Sequence, residues 1–205
     1  MRKLIMVFLV LMTTGGLAYA SPSPSDLDPR LLIESRHKLF HKLLNESPEK
    51  TENQVRDEMR KVLTSFVDFD AVARLSLKHY FDDLTPTQKA SYTGAFKRLI
   101  QASYLKRLKP GSSYEMTIQG DPELRNGKAK VRTLLKSGEA EFEVDYLLIQ
   151  YLSGVWRSYD IVIDGVSMVR NYRRSLYDLM KKQGFEAMMD KIDKKVKERE
   201  WWVSQ

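Results

Sequence analysis

Apolar positions along the chain change period once. Up to about residue 105 they recur every three or four residues, and from Tyr114 onward they alternate. SPSPSDLDP (21–29) reads as a disordered Pro/Ser-rich lead-in up to Asp26 or Asp28, either of which can cap a helix. Leu31, Leu32, Leu39, Leu43 and Leu44 then predict a helix over Pro29–Asn45. ESPEKTENQ is a polar turn feeding a second helix with Val55, Met59, Val62 and Leu63 on one face. VDFDAVARLSLKHYF continues the spacing through Val67, Ala71, Leu75 and, less cleanly, Leu77, with Asp68 or Asp70 placed to cap it. Thr85-Pro86-Thr87-Gln88 has the residues of a helix start: a capping Thr, Pro in the first turn and Gln three positions on. The helix it opens carries Tyr92, Ala95, Phe96, Leu99, Ile100, Ser103 and Tyr104 and stops before Pro110-Gly111.

The second half predicts strands. Tyr114, Met116 and Ile118 alternate before a turn at GDPELRNG, and Ala129, Val131 and Thr133 share one side of the next strand. Ser137-Gly138 predicts a hairpin into a long strand, with Phe142, Val144, Tyr146 and Leu148 on one face and Glu141, Glu143 and Asp145 on the other. Ser153-Gly154 turns into WRSYDIVI, where Val155, Tyr159, Ile161 and Ile163 fall on one side. After Asp164-Gly165 the spacing returns to helical through Val166, Val169, Tyr172 and Leu176. The closing helix carries Phe185, Met188, Met189, Ile192 and Val196. Helices first, an antiparallel meander of about four strands, then two more helices predict an α+β domain with helices packed on one sheet face.

The first twenty residues change the picture of where this domain works. Arg2 and Lys3 precede an apolar run from Leu4 to about Leu17, followed by Ala18-Tyr19-Ala20. That is the layout of a secretory signal peptide cleaved after Ala20, leaving a single domain over 21–205. The chain has no cysteine, so lipid attachment through one is excluded and stability must come from packing. The formal charge of +7 becomes +5 without Arg2 and Lys3. This modest basic excess suits anionic headgroups or an acidic partner, and export makes nucleic acid the least suited.

Motifs for catalysis are absent: no G-x-S-x-G, no phosphate-binding glycine loop and no H-E-x-x-H. His37 and His41 are spaced for a metal clip, yet Arg36, Lys38 and Lys42 surround them, and a solvated basic face is the expectation. Asp160 stands out as an acid among apolar neighbours. A buried carboxylate must be paired or hydrogen-bonded, by Arg157, Arg170, a tyrosine hydroxyl or backbone groups, or else serve as a functional acid. Phe66, Phe69, Tyr92, Phe96, Tyr104, Phe142, Tyr146, Tyr159 and Tyr172 face inward by spacing. They suit a filled core and a lipid-sized hollow equally.

Three blocks carry a family resemblance. FVDFDAVARLSL, TPTQKASYTGAFKRLIQASYLKRL and WRSYDIVIDGVSMVRNYR resemble signature blocks of the MlaC, or toluene-tolerance, family, the periplasmic phospholipid-binding component of the Mla transport system. The third is the most specific, at Trp156, Tyr159, Asp160, Gly165, Ser167, Asn171, Tyr172 and Arg173. A weaker fourth block is the helix after Gly184. Lys78 replaces a glycine of the family pattern, Phe81 stands at its Trp position, and Tyr92 stands where Phe is favoured. The resemblance implies a soluble monomer with no catalytic residue, metal or cofactor, which shuttles phospholipid as cargo between an outer-membrane lipoprotein complex and an inner-membrane ABC transporter with its substrate-binding ring. In doing so it would maintain outer-membrane lipid asymmetry and dock only transiently near membranes. It also implies an apolar pocket between sheet and helices. The expected lining is Phe69, Val72, Phe96, Leu99 and Tyr104 from the helices, and Phe142, Val144, Tyr146 and Leu148 from the long strand. Tyr159, Ile161 and Ile163 would form one further wall, and Val166, Val169 and Tyr172 another, around a joint made by Asp160, Asp164 and Gly165. Two other readings compete. One is a small periplasmic enzyme with Asp160 as acid or base. The other is a peripheral adaptor that binds membranes through its basic helices and the terminal Trp201-Trp202.

Overall fold

Each predicted helix start is built from the side chains that the sequence offers for it. The computed structural model describes residues 23–45, 49–105 and 114–201, with side chains to 199. The leader, the Pro110-Gly111 turn, the Trp201 side chain and Trp202 lie outside the described residues. Helix α1 (Pro29–Asn45) begins where Asp28 Oδ1 accepts the Leu31 amide at 2.9 Å. The lead-in is not disordered over its described part: Pro24–Leu27 forms a 3-10 turn, held by an ion pair between Asp26 and the buried Arg36. Helix α2 (Glu52–Phe66) carries a reciprocal capping box between Thr51 and Gln54. Asp68, not Asp70, caps α3 (Phe69–Leu77) through the Ala71 amide. Lys78 then takes φ 54° and ends that helix, so that α4 (His79–Asp82) is a separate turn. Thr85 and Gln88 exchange side-chain to backbone bonds of 3.2 and 3.0 Å ahead of α5 (Pro86–Leu105).

Among the described residues six strands follow, all antiparallel: β1 (Glu115–Ile118), β2 (Glu123–Arg125), β3 (Lys128–Ser137), β4 (Ala140–Gln150), β5 (Trp156–Ile163) and β6 (Val166–Ser167). Their order is β1-β3-β4-β5-β6, with β2 also paired to β3. The two strands beyond the expected four are short. β2 lies inside GDPELRNG, and the left-handed pair Asn126-Gly127 folds it back on β3. β6 is returned to β5 by Asp164-Gly165, also both left-handed. The closing helix α6 (Met168–Trp201) is interrupted at Gly184, where φ 82° and ψ −176° leave the helical region.

Cross-strand partners share a face, so the register defines the buried side. Ala129 opposes Leu148, Val131 opposes Tyr146 and Thr133 opposes Val144, and all six are buried. The other face is wet and carries the Lys130–Asp145 and Lys136–Glu141 ion pairs. Helix α1 packs against β1 and β3, while α2, α3 and α6 pack against β5. The helices hold one another through an aromatic series. Phe81 meets Tyr92 at 6.3 Å, Tyr92 stacks on Phe96 at 5.5 Å, and Phe96 meets Tyr172 edge-on at 5.1 Å. Such pairs add about 0.5–1.5 kcal/mol each beyond area burial. The hydroxyl that Tyr92 adds at a Phe-favouring position is accommodated by Ser76, 2.6 Å away, which itself donates to the Ala73 carbonyl.

Candidate functional site

Most of the expected lining residues meet along the seam between helices and sheet. Phe69 and Val72 on α3, Phe96 and Leu99 on α5, Val169 and Tyr172 on α6, and Val144, Tyr146 and Leu148 on β4 are buried. Ile161 and Ile163 oppose Tyr146 and Val144 and are half-buried, as is Tyr104. Phe66 lies 6.3 Å from the Tyr146 ring, and both belong to one continuous apolar core.

Three residues sit elsewhere than their spacing suggests. Phe142 is 40% exposed, near the β3–β4 hairpin and past the buried stretch of β4. Val166 is 61% exposed because it belongs to β6, so the buried stripe of α6 starts at Met168 and continues through Val169, Tyr172 and Leu176. Tyr159 occupies a bulge. Leu147 pairs with Asp160 and Leu148 with Ser158, which leaves Tyr159 without a partner and reverses the strand's parity. Trp156 and Ser158 are therefore the buried residues of early β5, in place of Val155 and Tyr159. Lys128 lies over the Tyr159 ring.

Beside the seam, α1 and β1 border a cleft of about 450 Å³. Arg30, Glu34, Lys38 and His41 line its helix side, Glu34 being ion-paired to Arg30, and Tyr114, Met116, Thr117 and Ile118 its strand side. His37 also lines it and connects it to the core, correcting the expectation of a solvated face. Its Nε2 is 2.6 Å from the Tyr146 hydroxyl and its Nδ1 3.3 Å from the Tyr114 hydroxyl. One neutral tautomer satisfies the group: Tyr146 donates to Nε2, and Nδ1–H donates to Tyr114, whose hydroxyl donates to the His37 carbonyl. Burial lowers the His37 pKa from 6.5 to about 4 and raises that of Tyr114 to about 12. His37 is four residues after the buried Ile33 and three before the buried Phe40, and that spacing was the available signal.

Asp160 is an anchor of the joint between β5 and α6. Its Oδ1 accepts the Ile161 and Val169 amides at 2.9 and 3.0 Å, and its Oδ2 accepts the Ser167 hydroxyl. Ser167 in turn accepts the Arg170 amide at 3.0 Å. Two unpaired amides at the start of α6 are thereby satisfied. Asp164 ties the turn to the sheet: its Oδ1 accepts the Glu143 amide, and its own amide donates to the Glu143 carbonyl. Among the described residues no group of three or more His, Asp or Glu side chains could hold a metal, and no helix is long and apolar enough to cross a membrane.

Comparison with known proteins agrees with this architecture. The profile of the MlaC protein family matches residues 34–194. The intermembrane phospholipid transport system binding protein MlaC of Haemophilus influenzae is 24% identical over 168 residues, covering 79% of this chain and 78% of that protein. A phospholipid-binding protein from Ralstonia solanacearum, solved in complex with a phospholipid, superposes with a TM-score of 0.76 at 16% identity. That match covers 84% of this chain and 98% of the other.

Proposed function

The chain belongs to the MlaC family, and from that premise we propose that it is a periplasmic carrier that sheathes the acyl tails of a phospholipid between its helices and sheet. The observation that carries the reading is the composition of the seam. Its walls are Val131, Val144, Tyr146 and Leu148 on the sheet and Phe96, Leu99, Val169 and Tyr172 on the helices. Tails enter by displacing these contacts, and the α1–β1 cleft, mostly apolar on its strand side and carrying Lys38 and the Arg30–Glu34 ion pair on its helix side, keeps a headgroup near solvent. Two chains of about 15 methylenes, at about 0.8 kcal/mol each, carry on the order of 20 kcal/mol. Unassisted passage through water is therefore negligible, and release requires a partner that offers an equally apolar path.

In this reading the leader at 1–20 exports the protein, which is cleaved after Ala20 and acts without catalysis or cofactor. It works as a monomer between an outer-membrane lipoprotein complex and an inner-membrane ABC transporter with its substrate-binding ring, supporting lipid asymmetry. The alternative of an enzyme with Asp160 as acid or base draws no support from the site, since both carboxylate oxygens already accept internal hydrogen bonds. A vesicle assay tests the carrier. Donor vesicles containing a self-quenched labelled phospholipid are mixed with unlabelled acceptors, and purified protein is added. Transfer that accelerates in proportion to protein concentration is expected; a rate unchanged by protein refutes the reading.

A further inference from the structure

A second cleft, of about 630 Å³, lies where the turn and first residues of the β5–α6 joint, Gly165 to Ser167, face Lys78 between α3 and α4. Lys78, Arg170, Arg173 and Arg174 line it against one carboxylate, Asp178. Arg173 is held by its Nε, which donates to the Leu75 carbonyl at 2.8 Å. Among the described residues Lys78, Arg170 and Arg174 have no ion-pair partner, and all three are exposed. Four cations against one carboxylate leave a net repulsion, so the cluster is not explained by folding stability.

Lys78 supplies an independent observation. It has φ 54° and ψ −130°, a conformation that glycine adopts freely and a lysine only with strain. The chain thus holds a strained cation where a glycine would relax the backbone, and that cation lines the cleft. Val166, 61% exposed, and Tyr177 add a small apolar patch beside the charges.

We propose that this cleft is a docking site for an acidic segment of a protein partner. Arginine guanidinium groups match carboxylates with paired, parallel hydrogen bonds, and three arginines line this cleft. Its concavity receives a protruding chain rather than a flat bilayer. Val166 is its one large exposed apolar side chain among the described residues, too little for the buried apolar face by which a protein settles into a membrane surface. The site lies apart from the seam residues, so the inference holds whatever the seam carries.

The test measures fluorescence anisotropy of a labelled hepta-glutamate peptide titrated with full-length protein at low and at raised salt. Arg170→Glu combined with Arg174→Glu is compared with Lys181→Glu combined with Lys182→Glu, the same charge change at exposed positions further along α6. Saturable binding that weakens at least tenfold in the arginine pair and less than twofold in the lysine pair is expected. Lys78→Gly, which removes a cation while relieving the backbone, is expected to weaken binding severalfold in a protein that melts no lower than the parent. Equal losses in the two double variants, or no saturable binding, overturn the proposal. So does co-sedimentation with phosphatidylglycerol vesicles that falls in the arginine pair alone while its peptide affinity is unmoved, since that assigns the cleft to a membrane.

Discussion

Protonating His37 is expected to loosen the attachment of α1 to the sheet, and the size of the effect follows from its pKa. Burial depresses that value to about 4, from 6.5 in the unfolded chain. The unfolded state therefore binds more protons between these values, and the stability contributed by neutral His37 is complete above about pH 6.5 and declines as pH falls toward 4. Integrating the two titrations gives a loss of about 2.5 kcal/mol between pH 7.5 and pH 4.5. That is a large share of a typical domain's total of about 5–15 kcal/mol. Carboxylates and the other histidines titrate in the same range, so the measurement is a difference. His37→Gln retains an amide able to accept from Tyr146 but does not ionise. Urea unfolding followed by circular dichroism at both pH values gives stability by linear extrapolation for each protein. The parent should lose about 2 kcal/mol more than the variant on acidification. Parallel losses in the two proteins refute the reasoning, because they place the His37 pKa at its ordinary value and the imidazole outside the core.

Further consequences follow from the joint and the helix layer. Asp160→Ala orphans the Ile161 and Val169 amides and the Ser167 hydroxyl, and should destabilise the fold by about 2–4 kcal/mol in urea unfolding. An Asp160→Ala protein of unchanged stability contradicts the anchor role. Lys78→Gly should raise the melting temperature by about 2–4 °C, corresponding to about 1 kcal/mol of relieved strain; a lower melting point removes the strain argument. Ser76→Ala leaves the buried Tyr92 hydroxyl without its partner and should cost more than Tyr92→Phe, about 1–3 kcal/mol against about 1. Tyr92→Phe combined with Ser76→Ala should recover part of the difference, which thermal unfolding of the three variants reads.

The fold was legible where one signal acted alone. The Asp28, Asp68 and Thr85 caps and the alternation of Val144, Tyr146 and Leu148 are local, and helix starts and strand faces followed from them. Legibility ended where tertiary contacts override period. β2 has three exposed residues and no apolar alternation, so only its Asn126-Gly127 turn signals a strand. The bulge at Tyr159 reverses parity within an otherwise regular alternation, and a pattern of period two cannot register one extra residue. Val166 continues a helical spacing yet lies in β6, because Asp160 and Ser167 start α6 at Met168. His37 was assigned to a charged face by its sequence neighbours Arg36 and Lys38, whereas its neighbours in space are Tyr114 and Tyr146. The second cleft joins residues nearly a hundred positions apart, and Lys78 was visible beforehand only as a departure from the family's glycine.

The central claim is that the seam between helices and sheet holds a phospholipid. Native mass spectrometry of the full chain, produced with its leader and recovered from the periplasmic fraction, measures this directly. The account predicts protein beginning at Ser21 with added mass equal to one phospholipid per chain, and organic extraction should return that lipid. Protein that emerges at its bare mass, and still shows no added mass after incubation with phospholipid vesicles, contradicts it.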